Sequence, residues 1–356
     1  MVDTIRLLIA ASGTGGHLFP AIALAEKLPG YQIEWLGVPN RLETQLVPKQ
    51  YKLNTISVEG FQKGFGISSL LTLGKLVGSV IAVRKLLKQG NFQGVFTTGG
   101  YIAGPSVIAA RSLGLPVILH ESNALPGKVT RFFGPWCDAV AVGFDVAAKY
   151  LPKSKVIYTS TPVRSQFLDA EIVSTLDLSI PPEAPLIVVF GGSQGAIAVN
   201  KLVRSCSPAW FEAGAYVVHI TGDKDEEAGS LQHPQYISLP FYENMAALLR
   251  RADLAISRSG AGSLTELAVC ETPAILIPYP FAAEDHQTYN ANVFTAVNAA
   301  LLFKQAELTE DILRSEVLRL LKSPDELRKM GENAKTVALT DSAEKLAQLL
   351  REVMEK

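Results

Sequence analysis

The 356-residue sequence holds three cysteines, Cys137, Cys206 and Cys270, an odd number at spacings that fit no zinc pattern. That excludes a disulfide scaffold as the organising device and suits a reducing compartment. Apolar runs are short. None approaches the roughly 18 residues that a bilayer span requires, so any membrane contact is expected to be peripheral. The first eleven residues carry Asp3 and too brief an apolar stretch for a signal peptide, and Ile5–Ala10 reads as a strand instead. No His, Cys and carboxylate cluster has ligand spacing, so no metal is expected. Charged residues are scarce, 19% against 48% hydrophobic. This excludes disorder and leaves a globular chain long enough for two cores.

The net charge of −1 is uneven along the chain. Residues 1–163 hold 16 Lys+Arg against 8 Asp+Glu, net +8, and residues 164–356 hold 17 against 26, net −9. A basic first half points to an anionic partner: a phosphorylated substrate, an acidic membrane surface or nucleic acid.

What the chain does have is a strand–glycine turn–helix stretch from Asp253 to Asn290. Leu254–Ser257 reads as a buried strand, Ser259-Gly260-Ala261-Gly262 as the turn, and Ser263–Cys270 as a helix with Leu264, Leu267 and Ala268 on one face. Pro273 closes the helix before a strand at Ala274–Pro278. Free amides and the helix dipole converge on such a turn and favour an anion. Ser263 adds a hydroxyl, Glu266 could accept bonds from a sugar diol, and Glu284, Asp285, His286, Gln287 and Asn290 could read further hydroxyls. Phosphate, ribose and a second sugar would then lie along one crevice. An ordinary βαβ unit with a capped helix would show the same signals.

The rest of the chain repeats that plan. Ile5–Ala10 runs into Ser12-Gly13-Thr14-Gly15-Gly16-His17, and Pro20 is expected to open a helix through Leu28. Tyr31–Gly37 and Gly94–Thr97 are further strands, the latter entering Thr98-Gly99-Gly100-Tyr101, a helix near Ser106–Leu113 and the strand Val117–His120. In the second half, Pro185–Phe190 enters Gly191-Gly192-Ser193-Gln194-Gly195-Ala196, then a helix through about Val203 and strands at Tyr216–Thr221 and Ile237–Leu239. Alternating strands and helices predict an α/β chain of two Rossmann-like domains with parallel sheets, facing each other across a cleft. The expected division is 1–163 and 164–340, with a C-terminal helix at about 341–356 returning to the first domain.

Three motifs carry competing readings. Gly13–His17 lacks the third glycine of the dinucleotide fingerprint, since Leu18 stands there. His17, at the start of a helix whose dipole favours the neutral imidazole, is a candidate general base. Gly191–Gly195 matches a nucleophile elbow, and Asp253 and His286 follow in hydrolase order. The first half has the same turn without the serine, which favours an anion cradle instead. Asp223-Lys224-Asp225 is the one D-x-D in the chain and reads as a solvated acidic loop. Separately, Phe61–Ile67 and the Leu70–Leu87 helix, closed by Arg84, Lys85 and Lys88, read either as a sheet-covering helix with a basic cap or as a peripheral membrane patch.

Taken together, these motifs resemble the bacterial peptidoglycan transferases of the MurG family, UDP-GlcNAc:undecaprenyl-diphospho-MurNAc-pentapeptide GlcNAc transferases with the GT-B fold. The resemblance runs nearly end to end: SGTGGHLFP at 12–20, TGGYIAGP at 98–105, HESN at 120–123, PVR at 162–164, GGSQGA at 191–196, SRSGAGSLTEL at 257–267 and HQTYNA at 286–291. Two departures are Ser12, where the family more often has glycine, and Ser122, where HEQN is frequent.

The resemblance implies an inverting, metal-independent transfer of GlcNAc to the MurNAc 4-hydroxyl on the lipid carrier, converting lipid I to lipid II in cell-wall synthesis, with no cofactor. It implies that His17, Glu121 and Asn123 are catalytic and face the acceptor, with His17 or Glu121 as the general base. Thr14, Gly15, Gly16, Arg164, Ser193, Gln194, Gly262 and Ser263 would hold the donor, with Glu266 on ribose, the Tyr242 backbone on uracil, and His286, Gln287 and Asn290 on the GlcNAc hydroxyls. It also favours the membrane patch, with Phe61, Phe65, Ile67, Leu70 and Leu71 inserting and Lys63, Lys75, Arg84, Lys85 and Lys88 on anionic lipid at the cytoplasmic face of the inner membrane. Nucleic acid is not an implied partner. Alternatives are a UDP-sugar 2-epimerase or glycolipid transferase of the same fold, or a non-catalytic nucleotide-sugar-binding subunit.

Overall fold

The computed structural model describes residues 4–57, 67–168, 176–192 and 196–355, and for 67–73 the backbone alone. The chain divides into two compact units, one of residues 1–164 with 340–356 and the other of residues 165–339.

The first unit holds strands β1 (Arg6–Ala10), β2 (Gln32–Gly37), β3 (Lys52–Thr55), β4 (Gly94–Thr97), β5 (Val117–Glu121), β6 (Ala139–Val142) and β7 (Val156–Tyr158). They form one parallel sheet in the order β3-β2-β1-β4-β5-β6-β7. Its helices are α1 (Gly15–Glu26), α2 (Glu43–Leu46), α3 (Ile67–Gln89), α4 (Ala103–Arg111) and α5 (Lys128–Phe133). Side chains alternate across a strand, so a run apolar at every position is covered on both sides. In β1, Leu7 and Ile9 pack with Leu18 and Leu24 of α1, whereas Leu8 and Ala10 pack with Val83 and Leu87 of α3 and Val107 of α4.

The second unit repeats the arrangement. Strands β8 (Leu186–Phe190), β9 (Tyr216–Ile220), β10 (Tyr236–Leu239), β11 (Leu254–Ser257), β12 (Ala274–Leu276) and β13 (Ala300–Leu302) form a parallel sheet in the order β10-β9-β8-β11-β12-β13. The helices are α6 (Ile197–Glu212), α7 (Met245–Arg251), α8 (Ala261–Val269), α9 (His286–Ala296), α10 (Glu310–Leu321) and α11 (Pro324–Lys335). Ile187 and Val189 of β8 bury against Val203, Cys206 and Trp210 of α6 and Leu313 and Val317 of α10. In both sheets the strand order reverses between the first and fourth strands, which is where such folds leave room for a ligand beyond the carboxyl ends.

The last helix, α12 (Ser342–Met354), belongs to the first unit. Leu346, Leu349, Leu350 and Val353 join the core around α1, Arg351 Nη2 donates to the Lys27 carbonyl at 2.8 Å, and Lys27 pairs with Glu344 at 2.5 Å.

Two helices differ from the sequence expectation. α1 starts at Gly15 and not at Pro20, because the Thr14 carbonyl accepts from the amides of both His17 and Leu18 and so begins the helix five residues early. α6 continues to Glu212 through Pro208, since burial of Cys206 and Trp210 outweighs the bond that proline removes.

Candidate active site

The turn after β1 is held from three sides. Thr97 Oγ1 donates to the Ala10 carbonyl at 2.8 Å, Trp35 Nε1 donates to the Ala11 carbonyl at 2.9 Å, and the Gly13 amide donates to Glu43 Oε2 at 3.2 Å. Gly13 has φ 106°, a conformation that favours glycine. This fixes the start of α1 and with it His17, whose Nδ1 lies 2.7 Å from the Thr98 carbonyl oxygen on the turn after β4. A carbonyl only accepts, so Nδ1 carries the proton of the neutral ring and Nε2 is left as an acceptor. Gly99 and Gly100, at φ 85° and 71°, bring that second turn close: a Cβ on Gly100 would lie 3.8 Å from His17 Nε2.

Glu121 ends β5 nearby, and all four acceptor positions of its buried carboxylate are occupied. Oε1 accepts from the Asn123 amide and from Asn123 Nδ2, both at 3.0 Å, and Oε2 accepts from the Gly127 amide at 3.0 Å and Thr130 Oγ1 at 2.6 Å. Glu121 therefore shapes the 121–130 loop and has no lone pair left for a substrate proton. This arrangement favours a positioning role for Glu121 over that of the base. Asn123 is half-buried and shares that loop. Arg164 falls in the first unit, its guanidinium 4.7 Å from the centre of the Phe19 ring on α1.

In the second unit, the turns after β8 and β11 stand side by side because those strands pair directly. Gly192 has φ 78°, and a Cβ on Gly192, Gly260 or Gly262 would meet nothing within 4 Å, so the backbone can be approached closely. Ser193 and Gln194 lie outside the described residues. Gly262, Ser263 and Glu266 are all half-buried on the first turns of α8. The Ser259 hydroxyl donates to the Gln287 carbonyl at 2.8 Å, and Asn290 Nδ2 donates to the Ser259 carbonyl at 3.1 Å, which ties the start of α9 to the turn. Arg258, missed in the sequence, reinforces it by donating to the Ile277 and Pro278 carbonyls at 3.1 Å and to Gln305 at 2.6 Å.

Asn290 is wholly buried, and its amide braces this turn. Gln287 and His286 are half-buried at the start of α9; Gln287 Oε1 accepts from the Tyr279 amide at 2.9 Å, and His286 Nδ1 lies 2.9 Å from the Ala283 carbonyl. Tyr242 is buried, its hydroxyl bonded to Asp177 and its pKa pushed up by burial and by that carboxylate.

The two decoy motifs resolve on geometry. Asp253 Oδ2 accepts from the Leu186 amide at 2.7 Å, at the amino ends of β8 and β11, whereas His286 follows β12 at the carboxyl end; they cannot join one triad. Asp225 is not solvated as the acidic run suggested. It is buried and pairs with Arg204 through both oxygens, at 2.7 and 3.2 Å, and accepts from Asn200 Nδ2 at 2.7 Å. Asp225 is thus committed to an internal network. Among the described residues no three His, Cys, Asp or Glu side chains are grouped to hold a metal.

On α3, Ser79, Val83 and Leu87 face inward, while Val77 and Ile81 are 50% and 62% exposed. Lys75, Arg84, Lys85 and Lys88 are exposed, and Arg84 also donates to Ser112 Oγ at 3.0 Å. Phe61, Lys63 and Phe65, and the side chains of Ile67, Leu70 and Leu71, lie outside the described residues. Among the described residues no helix is long and apolar enough to cross a membrane.

Two domain families match the chain: Glycosyltransferase family 28 N-terminal domain over residues 7–142 and Glycosyltransferase family 28 C-terminal domain over residues 186–346. A Nostoc punctiforme protein named UDP-N-acetylglucosamine–N-acetylmuramyl-(pentapeptide) pyrophosphoryl-undecaprenol N-acetylglucosamine transferase is 78% identical over 99% of this chain and 98% of its own length. The chain belongs to the MurG family of glycosyltransferase family 28. The crystal structure of Acinetobacter baumannii MurG is similar at 28% identity and a TM-score of 0.78, covering 98% of this chain and 99% of that one. The UDP-GlcNAc 2-epimerase from Neisseria meningitidis shares only the fold, at 12% identity and a TM-score of 0.70 over 98% and 100% of the two chains. As a MurG-family chain of GT-B type, it carries His17, Thr98 and Glu121 together in the first unit and the turns at 191–192 and 259–263 in the second.

Proposed function

We propose that this chain transfers GlcNAc from UDP-GlcNAc to the 4-hydroxyl of MurNAc on undecaprenyl-diphospho-MurNAc-pentapeptide, with inversion. The observation that carries the reading is the His17 tautomer: Nδ1 is occupied by the Thr98 carbonyl, so Nε2 faces the second glycine turn as a base. Nε2 takes the proton of the attacking hydroxyl, the new bond forms at the anomeric carbon, and the bond from that carbon to phosphate breaks with release of UDP. Glu121 holds the loop bearing Asn123 beside it. Thr14, Gly15, Gly16 and Arg164 serve the donor from the first unit.

In the second unit, backbone amides and helix dipoles at Ser193, Gln194, Gly262 and Ser263 stabilise the departing diphosphate without a metal. Glu266 accepts from the ribose hydroxyls, the Tyr242 backbone reads uracil, and His286 and Gln287 read the GlcNAc hydroxyls while Asn290 holds the turn beneath them. The exposed face of α3 seats the first unit on the cytoplasmic leaflet, Val77 and Ile81 entering the interface and Lys75, Lys85 and Lys88 meeting anionic headgroups. The test is formation of the disaccharide lipid from UDP-GlcNAc and the lipid-linked acceptor. Conversion of UDP-GlcNAc with no acceptor present would mark an epimerase instead, and tight UDP binding with no turnover would mark a binding subunit.

A further inference from the structure

We propose that Arg41 binds the diphosphate of the lipid-linked acceptor, an assignment that rests on the transferase reading above. Its guanidinium lies over the first glycine turn: Nη1 is 3.6 Å from where Gly13 would carry a Cβ. The side chain is exposed, and among the described residues it makes no hydrogen bond or ion pair. Glu43, two residues on, is the nearest acidic residue along the sequence. Here that glutamate is fully engaged elsewhere. Glu43 has no exposed surface, and it accepts from Ser12 Oγ at 2.5 Å, from the Val38 amide at 2.7 Å and from the Gly13 amide at 3.2 Å. Burial opposes its charge, but those bonds outweigh it and hold the carboxyl below the usual carboxylate range.

Two close fits keep this arrangement in place. Gly37 leaves room for Glu43, since a Cβ there would come within 2.7 Å of Glu43 Cγ. The Arg41 carbonyl accepts from the Thr44 amide at 3.1 Å and from Thr44 Oγ1 at 2.7 Å, so the arginine's backbone is anchored at the base of α2. Glu43 thus fastens the Arg41 loop to the turn that leads to His17 and leaves the guanidinium fork available. Five N–H donors in a plane suit two phosphate oxygens better than a sugar hydroxyl. Two diphosphates take part in the proposed reaction. The donor's is held chiefly by the glycine turns of the second unit, whereas Arg41 lies over the turn of the basic first unit that leads into the helix of His17, and this favours the acceptor's.

The experiment compares wild type, Arg41→Ala and Arg41→Lys, as full chains, on three readouts. These are KM for a short-chain, water-soluble prenyl-diphospho-MurNAc-pentapeptide, turnover of a MurNAc-pentapeptide glycoside lacking phosphate, and calorimetric affinity for UDP. Arg41→Ala is expected to raise the diphosphate-acceptor KM about ten- to hundred-fold, with kcat and UDP affinity unchanged. Arg41→Lys should recover part of the loss, and the penalty should vanish on the phosphate-free acceptor. An unchanged KM, an equal loss on both acceptors, or a fall in UDP affinity would each overturn the assignment, the last by moving Arg41 to the donor. A wild-type protein inactive on every acceptor would sink the transferase reading and this assignment with it.

Discussion

The Thr130 hydroxyl lies 2.6 Å from Glu121 Oε2 and its oxygen is 3.6 Å from where Gly99 would carry a Cβ. One threonine thereby couples the loop after β5 to the glycine turn whose Thr98 carbonyl orients His17. The acidic residue and the histidine are neighbours through a scaffold, and they are predicted to fail differently.

Replacing His17 by alanine should lower kcat by about 10²–10⁴-fold, the usual range for a lost general base, with UDP affinity intact. Glu121→Gln should act chiefly on stability. All four partners of Glu121 are donors, so an amide N–H put in place of one oxygen opposes at least one of them, at a cost of about 1–3 kcal/mol. Thermal unfolding and steady-state kinetics on both variants separate the two roles. A Glu121→Gln protein with normal stability and no chemistry would return the base assignment to Glu121.

Glu266→Ala should weaken UDP binding by roughly ten-fold or more, from loss of charge-assisted bonds to the ribose. Calorimetry with UDP and ADP adds a control. Uridine should be preferred, and equal affinity for the two nucleotides would remove the uracil role given to the Tyr242 backbone.

Charge reversal at Lys75, Lys85 and Lys88 should release the protein from anionic vesicles, each cation contributing about 1 kcal/mol near such a surface. Replacing Val77 and Ile81 by serine should weaken binding that persists in high salt, because apolar insertion is not screened. Vesicle sedimentation unaffected by either set would leave α3 as a covering helix alone.

Each unit carries a buried histidine whose pKa is depressed, which predicts acid sensitivity. Burial pushes His120 down to about 4; for His219 burial, aided by the Arg204 charge, pushes it down to about 3. Between the unfolded value near 6.5 and these folded values, the unfolded chain takes up protons that the folded chain refuses. Stability should therefore be full above about pH 6.5 and decline as pH falls toward 4, each histidine contributing on the order of 3 kcal/mol across that window. His219→Asn and His120→Asn should flatten the pH dependence of the unfolding midpoint, read by differential scanning calorimetry. Wild-type midpoints that do not fall between pH 6.5 and 4.5 would contradict this.

Much of the fold could be read from local pattern, because a buried parallel strand is an apolar run with a glycine or proline at its end. The runs at Leu254–Ser257 and Gly94–Thr97 coincide with β11 and β4. Partnerships across the chain left no such trace. The Ser12–Glu43 bond joins residues 31 apart, and Asp225 lies among acids that resemble a surface loop until Arg204, 21 positions earlier, is folded against it. The same limit applies to Asn290, whose type suits a sugar hydroxyl but which is buried with its amide on the Ser259 carbonyl, 31 positions earlier. Residue type suggested chemistry; only the packed environment separates a group that meets ligand from one that holds the group that does.

Because α12 completes the core around α1, the first unit depends on side chains from two separate stretches, with residues 165–339 inserted between them. A ribosome delivers β1 before the second unit and Leu346, Leu349 and Leu350 after it. The second unit can finish folding as it emerges, whereas the part of the α1 core that α12 covers must wait until residues 165–339 have been made. Moving α12 to a position ahead of β1 by circular permutation would remove that delay, and would make the first unit a contiguous product of its own synthesis.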